Sequence, residues 1–391
     1  MRIKEVKARA IKDSRGQETI EVLVRTEHGI FSSSSPSGTS TGKHETPSFL
    51  GSIQHDIIQL ENNKFDFSVD SFQELEKIEK IIKGKIGANS LFALETACLK
   101  ALAVEQGKEL WQIINEKARK LPYPVGNCIG GGLHTQLTNF LKPDFQEYLV
   151  IPKSTRFVDR VFLMNKAWEA CGKSLRLRKG LGKQNYEGAW STSLENEEAL
   201  DVLNKVREEL EVSEKVEIGV DLASSSFFNF TYNYKNPPKR RKVEEQFEYI
   251  KNLIEKFRLG YIEDPFDEDD FDSFSRLRQE IIKSKACLIV GDDLTSSHLE
   301  RFRKALLSRS VNSIILKPNQ NGSLLEIKKL ADACKKYEIA SIVSHRSGET
   351  LDYAIADIAF GLQADFVKFG IKGKEREIKL NRLVEIEKDF R

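Results

Sequence analysis

The sequence predicts an α/β protein in which a barrel of βα units follows a small α+β domain. Three observations carry that. The first ~120 residues set strands and then helices in series, without alternation. From about residue 216 the chain repeats a short β-branched run and an amphipathic helix six times, at later intervals of 23 to 29 residues, the length of a βα unit. Each run also meets a polar or ionisable residue at its C-terminal end, where barrels of this kind build their sites. Alternating units of this length give a parallel sheet, and six or more favour a barrel over an open sheet.

Length and composition agree. The 391 residues exceed what one barrel of about 250 needs. Apolar residues make up 40% and charged residues 31%, which excludes global disorder and fibrous repeats. Lys and Arg total 61 against 59 Asp and Glu, a net charge of +2, so no basic field recommends nucleic acid or an anionic membrane as partner. No apolar run approaches the ~20 residues of a membrane span, and Met1–Val6 begins no signal sequence. Cysteines at 98, 128, 171, 287 and 334 form no C-x-x-C pair, which argues against a disulfide scaffold or zinc ribbon and for a reduced, cytoplasmic compartment.

The α+β domain is expected over residues 1–120. Ile20–Thr26 alternates as a strand, His28-Gly29 turns, and Ile30-Phe31 continues. Ser32 to Gly42 (SSSSPSGTSTG) reads by composition as a flexible surface loop. Ser71-x-x-Glu74 is a capping box, heading a helix whose apolar stripe is Phe72, Leu75, Ile78 and Ile82. Asn89-Ser90 opens a second helix, which ends at Gly107.

The barrel is expected over 121–391. Its repeated runs are Val216–Val220, Leu259–Ile262, Cys287–Val290, Asn312–Leu316, Ala340–Val343 and Ala364–Val367, and they lead into Asp221, Glu263, Asp292, Lys317, Ser344-His345 and Lys368. One carboxylate after a strand is often only the N-cap of the next helix. Asp, Glu, Asp, Lys, His and Lys on successive strands make a site. Asp221, Glu263 and Asp292 offer three hard oxygen ligands suited to Mg²⁺. Lys317 and Lys368 face them, and a lysine kept neutral by a nearby cation and a second lysine can abstract a proton beside a metal-bound carboxylate. His345-Arg346-Ser347-Gly348 is expected to precede a helix beginning near Glu349 and so to form an anion site for phosphate. The basic run Pro237–Lys242 reads as a solvated loop before a helix, and Trp111, Trp168 and Trp190 as core or loop anchors.

Several stretches, in order, resemble the enolase family: Asp13-Ser14-Arg15-Gly16, Pro36-Ser37-Gly38-Thr39-Ser40-Thr41-Gly42, Lys85–Asn89, Ile262–Asp270, Gly291–Thr295, Leu316–Gln320 and Ser344–Thr350. The resemblance spans nearly the whole chain. It implies a TIM-type barrel with irregular first strands under an N-terminal capping domain. It also implies reversible dehydration of the phosphorylated substrate 2-phosphoglycerate to phosphoenolpyruvate, with two Mg²⁺, the second recruited with substrate. By the same resemblance Asp221, Glu263 and Asp292 hold the first ion, and the Ser40 loop closes over the second. Lys317 is the base and Lys368 sits on the substrate carboxylate side. His345, Arg346 and Ser347 contact phosphate and substrate, Gln146-Glu147 is the family's Gln-Glu pair, and His134 its loop histidine. A homodimer or higher assembly is implied too.

The acid is placed by matching Glu-Gly-x-aromatic within Asn185–Asn196, which selects Glu187; counting back from Leu194-Glu195-Asn196 without a gap selects Tyr186 instead. Other stretches depart from the family pattern. Gly130-Gly131-Gly132-Leu133-His134 replaces the usual Asn-Gly-Gly-x-His, the stretch from His134 to Gln146 is longer, and Thr46–Leu60 is shortened. Two rival readings remain at this level: a non-catalytic homologue acting as a binding or structural protein, and a racemase or sugar-acid dehydratase whose substrate carries no phosphate.

Overall fold

A computed structural model describes residues 1–39, 42–135, 141–178, 180–210, 215–282 and 287–389. Ser40, expected at the second metal, lies outside the described residues.

The N-terminal part is an antiparallel meander, β1 (Glu5–Lys12), β2 (Glu18–Arg25) and β3 (Ile30–Ser34), with α1 (Ile53–Asn62), α2 (Leu75–Ile82), α3 (Ala88–Glu105) and α4 (Leu110–Asn115) following it. Ile20, Val22 and Val24 are buried at period two along β2, the face on which α3 packs. The serine run is not wholly a loop. Ser32–Ser34 complete β3, with Ser33 opposite Val22. Their hydroxyls find partners on the barrel: Ser33 donates to Asp352 at 2.7 Å and Ser34 to Thr350 at 2.8 Å. Composition shows the polarity of serines but not the tertiary acceptors that let them be buried.

The stripe Phe72, Leu75, Ile78 and Ile82 is buried as expected, but the capping box does not form. Ser71 makes no side-chain cap bond, and the Glu74 carboxylate instead accepts the amide of Asp70 at 2.8 Å. Burial of Phe72 draws the chain in through a 3₁₀ turn before α2. Helix α1 falls in the shortened Thr46–Leu60 stretch, and Ser52 caps it. On it, buried Asp56 accepts from the Leu50 amide (3.1 Å), the Gly87 amide (2.7 Å) and the Ser90 hydroxyl (2.6 Å), tying α1 to the start of α3.

The second part carries β4 (Tyr123–Pro124), β5 (Gly126–Gly130), β6 (Glu147–Pro152), α5 (Phe157–Leu177), β7 (Leu181–Gln184), β8 (Trp190–Thr192) and α6 (Asn196–Leu210). Next come β9 (Val216–Asp221), β10 (Phe228–Asn229), β11 (Thr231–Lys235), β12 (Pro238–Arg241) and α7 (Val243–Phe257). The run ends with β13 (Tyr261–Glu263), α8 (Phe271–Ile282), β14 (Leu288–Gly291), α9 (Leu299–Leu307), β15 (Ser313–Leu316), α10 (Pro318–Asn321), α11 (Leu324–Lys336), β16 (Ala340–Ser344), α12 (Ala354–Gly361), β17 (Phe366–Lys368) and α13 (Lys374–Asp389). The main sheet runs β4-β17-β16-β15-β14-β13-β9-β6-β5-β8-β7. Only buried Val125 separates β4 from β5, so the stretch that pairs β17 at one end pairs β6 at the other, and the barrel closes. β6 is antiparallel to both its neighbours, β5 and β9. The basic run is not a loop: Pro238–Arg241 is an edge strand of the small outer sheet β10-β11-β12, and Arg241 stacks over Tyr234 and Tyr249.

Side-chain alternation explains where the polar residues go. Val125, Leu149, Ile151, Tyr261, Val290, Ile315, Ile342 and Phe366 pack together as a plug inside the barrel. Two residues further along the parallel strands, on the same face, stand Glu263, Asp292, Lys317, Ser344 and Lys368. Gly219 makes room for Tyr261, since a Cβ there would lie 2.6 Å from it, and Asp221 follows two residues on. On antiparallel β6 the order reverses, so Glu147, two residues before Leu149, reaches the same rim.

Asp56→Ala leaves the buried Gly87 amide, the half-buried Leu50 amide and the Ser90 hydroxyl without their acceptor. It is expected to lower stability by about 2–4 kcal/mol, with Asp56→Asn intermediate, as read from the urea midpoint; a shift under about 0.5 kcal/mol would contradict the tie.

Candidate active site

At the floor of the mouth the Lys368 ammonium is ringed by carboxylates: Glu147 Oε2 at 2.6 Å, Glu263 Oε2 at 2.9 Å and Asp221 Oδ2 at 3.0 Å. All four side chains are buried. Burial works against the ammonium, but Asp221, Glu147 and Glu263 outweigh it and push its pKa well above the lysine range. Glu263 is also contacted by the hydroxyl of Tyr261. Burial, then the charge of Asp221, pushes the Glu263 carboxyl well up. Lys317 reaches Asp292 from the adjacent strand round the barrel. Burial lowers its pKa, Asp292 raises it, and the net direction is up.

Backbone strain aims this rim. Ala223, Asp264, Ser296 and Ser297 lie in the left-handed region at φ 48°, 40°, 46° and 55°. The turn at Asp264 brings its carboxylate back over the barrel, where it accepts the amides of Asp292 (3.0 Å) and Asp293 (2.8 Å). Asp293 is pushed up to about 8, by burial first and Asp292 next. The nearest-neighbour grouping of ligand atoms differs from the expected one. Among the described residues, Asp264, Asp292 and Asp293 form one group within 4.8 Å, and His134, Glu147 and Glu187 another. Asp221 and Glu263 gather round Lys368 instead. Asp264 and Asp293 escaped sequence reading because their only signal was to stand beside Glu263 and Asp292.

The second group forms the opposite wall. Buried Glu187 lies 3.1 Å from His134 Nδ1, and Glu147 lies 3.5 Å from the same nitrogen. Asn127 donates to Glu187 at 3.3 Å. Burial opposes the His134 charge, yet Glu187 and Glu147 lift its pKa to about 10. Glu187 is held below the carboxylate range: burial would raise it, and the His134 charge more than compensates. Glu187 lines the cavity, whereas Tyr186 does not.

The third wall is where the N-terminal part meets the barrel. Arg346 is gripped by Glu45, with nitrogen–oxygen distances of 3.0 Å, and approaches Asn319 at 3.3 Å. Gly38 abuts it so closely that a Cβ would fall 2.0 Å from the guanidinium. The Thr39 amide donates to Ser347 Oγ at 2.9 Å, and Ser37 and Gly348 exchange two backbone hydrogen bonds. No helix begins near Glu349, a correction to the expected anion site. The chain from His345 runs as a loop to α12 at Ala354. The Arg346 amide is taken by Glu349 (2.9 Å), that of Gly348 by the Ser37 carbonyl (2.9 Å) and that of Glu349 by Ser14 (3.1 Å). Side chains, not a helix terminus, therefore present the positive charge. His345 Nδ1 and Gln146 Oε1 are buried without a partner among the described residues, and both side chains line the cavity. Burial, then Arg376, keeps the His345 pKa well below the usual histidine value.

The donor set fits a hard divalent cation. Buried carboxylates at Asp221, Glu263, Asp264 and Asp292, with half-buried Asp293, outnumber the two lysines that face them, and burial with mutual repulsion raises most of their pKa values.

A barrel whose second strand runs backwards, with a carboxylate-and-lysine rim under a cap, defines a class of two-domain barrel enzyme. Residues 118–391 match the family description "Enolase, C-terminal TIM barrel domain" and residues 3–56 match "Enolase, N-terminal domain". The chain is 36% identical to the enolase of Methanosphaera stadtmanae over 407 aligned residues, covering 99% of this chain and 97% of that one. It is 34% identical to the enolase of Sulfurisphaera tokodaii, covering 100% and 96%, and 32% identical to that of Methanothermobacter thermautotrophicus, covering 99% and 97%. The chain belongs to the enolase family and is an enzyme of the hydro-lyase class.

The His134–Glu187 pair has a testable pH signature. The folded pKa of His134 lies above its ordinary 6.5, so its stabilisation is complete below pH 6.5 and fades as pH rises through about 10. His134→Gln should therefore cost most near pH 6.5, by roughly 3–5 kcal/mol for a broken buried pair. The gap in melting temperature to wild type should narrow toward pH 10. A gap that stays constant over that range would show that the pair is not ionic.

Proposed function

We propose that this protein catalyses the reversible dehydration of 2-phosphoglycerate to phosphoenolpyruvate, a step of glycolysis and gluconeogenesis, with Lys317 as base and Glu187 as acid. The observation that supports this best is the opposition of Lys317, on β15's end, to the His134–Glu187–Glu147 group across one buried cavity. A β-elimination needs a base and an acid on separate walls, and family membership supports the same reading.

Asp221, Glu263 and Asp292 would hold the first Mg²⁺ and the loop containing Ser40 the second; bound there, the ions neutralise the negative charge that collects on the substrate carboxylate as the α-proton leaves. Lys317 is paired with Asp292 and so holds its proton. It becomes a base on losing that proton to solvent, which the neighbouring Arg346 charge favours and which Asp292 would oppose less were it holding a cation. Lys368 supplies a fixed positive charge beside the enediolate. His134 carries the extra proton at rest; Glu187 takes it through their contact and passes it to the departing hydroxide, which leaves as water. Arg346, His345 and Ser347 receive the phosphate, and Gln146 the remaining polar groups. Phosphate would displace Glu45 from Arg346, so binding of phosphate and rearrangement of the cap loop are one event.

Two expected outcomes test this. Lys317→Ala should lose both dehydration and exchange of the substrate α-proton with solvent deuterium. Glu187→Gln should lose dehydration by roughly 10²–10⁴ while keeping exchange, and Tyr186→Phe should be near wild type. A dead Tyr186→Phe beside an active Glu187→Gln would move the acid, and no phosphoenolpyruvate from the wild type would leave only a binding role. Separately, millimolar Mg²⁺ should raise the melting temperature by mass action, and Asp292→Asn should shrink that rise. Identical melting in chelator and in Mg²⁺ would refute the assigned ligands.

A further inference from the structure

Glu187 stands on a turn, and the strands that flank the turn hold it weakly. β7 and β8 pair with a register break between Leu181 and Gln184, and β8 meets β5 of the barrel at Trp190 and Ser191, just beyond the turn. Within the turn, Asn185 Oδ1 accepts the amides of Glu187 and Ala189, each at 3.0 Å, and the Asn185 carbonyl accepts that of Gly188 at 3.0 Å. These bonds shape the turn but do not anchor it to the barrel.

The anchor comes from α5. The indole N–H of Trp168 donates to the carbonyl of Gly188, the residue after Glu187, at 2.8 Å. Trp190, just beyond the turn, stacks on Trp168 with ring centroids 4.3 Å apart and planes at 26°. Its own N–H donates to the Trp168 carbonyl at 2.9 Å. Gly172, one turn along α5 from Trp168, leaves the space this needs: a Cβ there would lie 2.8 Å from the Trp190 indole. On the other side is the loop that follows Lys368 on β17. The Lys372 ammonium lies over the Trp168 ring at 5.0 Å. The Lys372 carbonyl presses on Gly188, whose φ of +76° and lack of a side chain allow it, since a Cβ would come within 2.5 Å. The turn is thus wedged between α5 and the loop of the Lys368 strand, and neither tryptophan lines the cavity.

We propose that Trp168 is a positioning residue for the acid step, fixing Glu187 against His134 and Glu147 through the carbonyl of Gly188. The proposal rests on the reading of Glu187 as the acid. Besides the contacts of the Glu187 side chain with Asn127 and His134, the turn is tied to its surroundings by the Trp168 bond to the Gly188 carbonyl, and its backbone shifts when that bond is lost. A misplacement of about 1 Å at a reacting group can cost up to a hundredfold in rate. The loss falls on the step that uses Glu187, while the Lys317 wall is untouched.

The test compares Trp168→Phe, which keeps a stacking ring and removes the N–H, with Glu187→Gln and wild type in the full-length protein. Trp168→Phe is expected to lower kcat for dehydration roughly ten- to a hundredfold, to leave KM within about twofold, and to leave α-proton exchange near the wild-type rate. Trp190→Phe, which loosens Trp168 only through its carbonyl, should give the same split at smaller size, and it serves alone if Trp168→Phe does not fold. Equal losses of exchange and dehydration, or an unchanged kcat, would overturn the positioning role, because a merely structural defect lowers both steps together. If Glu187→Gln keeps full dehydration, the acid assignment and this proposal fall together; if it loses dehydration while Trp168→Phe does not, only the proposal falls.

Discussion

Everything at the barrel mouth is organised around one buried ammonium. Lys368 sits within 3.0 Å of Glu147, Asp221 and Glu263, which come from two different parallel strands and one antiparallel strand. Bringing such ions out of water costs several kcal/mol each, and only mutual contact recovers it. Three carboxylates round one ammonium leave excess negative charge, as do Asp264, Asp292 and Asp293 beside Lys317. That imbalance makes the rim a receptor for cations, and it can persist because the apolar plug beneath holds the strands in place.

The cap brings a second constraint. Glu45 and the chain at Ser37–Thr39 lie against Arg346, Ser347 and Gly348, so the anion-binding side of the cavity is built from both parts of the chain. Glu45 occupies the Arg346 guanidinium. On the proposed function, a substrate phosphate would compete with this internal carboxylate, which would tie its recognition to movement of the cap. Gly38 and Gly348 permit this closeness: a Cβ at either would fall within 2.0 Å of Arg346 or Asp13.

The walls that carry Lys317 and Glu187 differ in how they are held. Lys317 follows directly from β15 and inherits its position from the sheet. Glu187 stands on a turn outside the barrel's inner strands and takes its place from Trp168, Asn185 and Lys372. Strand-borne groups are stiff by construction, whereas a loop-borne group needs dedicated contacts. His134 likewise owes its orientation to partners that arrive from β6 and from the Glu187 turn.

Much of this was legible in the residues alone. Repeating βα lengths announced the barrel, and polar residues at the run ends announced Asp221, Glu263, Asp292, Lys317, His345 and Lys368, because side chains two apart on a strand share a face. Resemblance placed Glu147, which the run-end rule misses since β6 runs backwards and carries its polar residue at its start. Tertiary structure alone decided the rest. Ser33 and Ser34 are strand residues because Asp352 and Thr350 receive their hydroxyls, and the Ser71 cap yields to burial of Phe72. No helix starts at Glu349 because Ser14, Ser37 and the Glu349 carboxylate itself take the amides of that loop. Asp264 and Asp293 join the rim because a left-handed backbone turns one of them inward. Local pattern encodes periodicity and chemistry; it does not encode which distant group will satisfy a buried donor, and that choice shaped each of these departures.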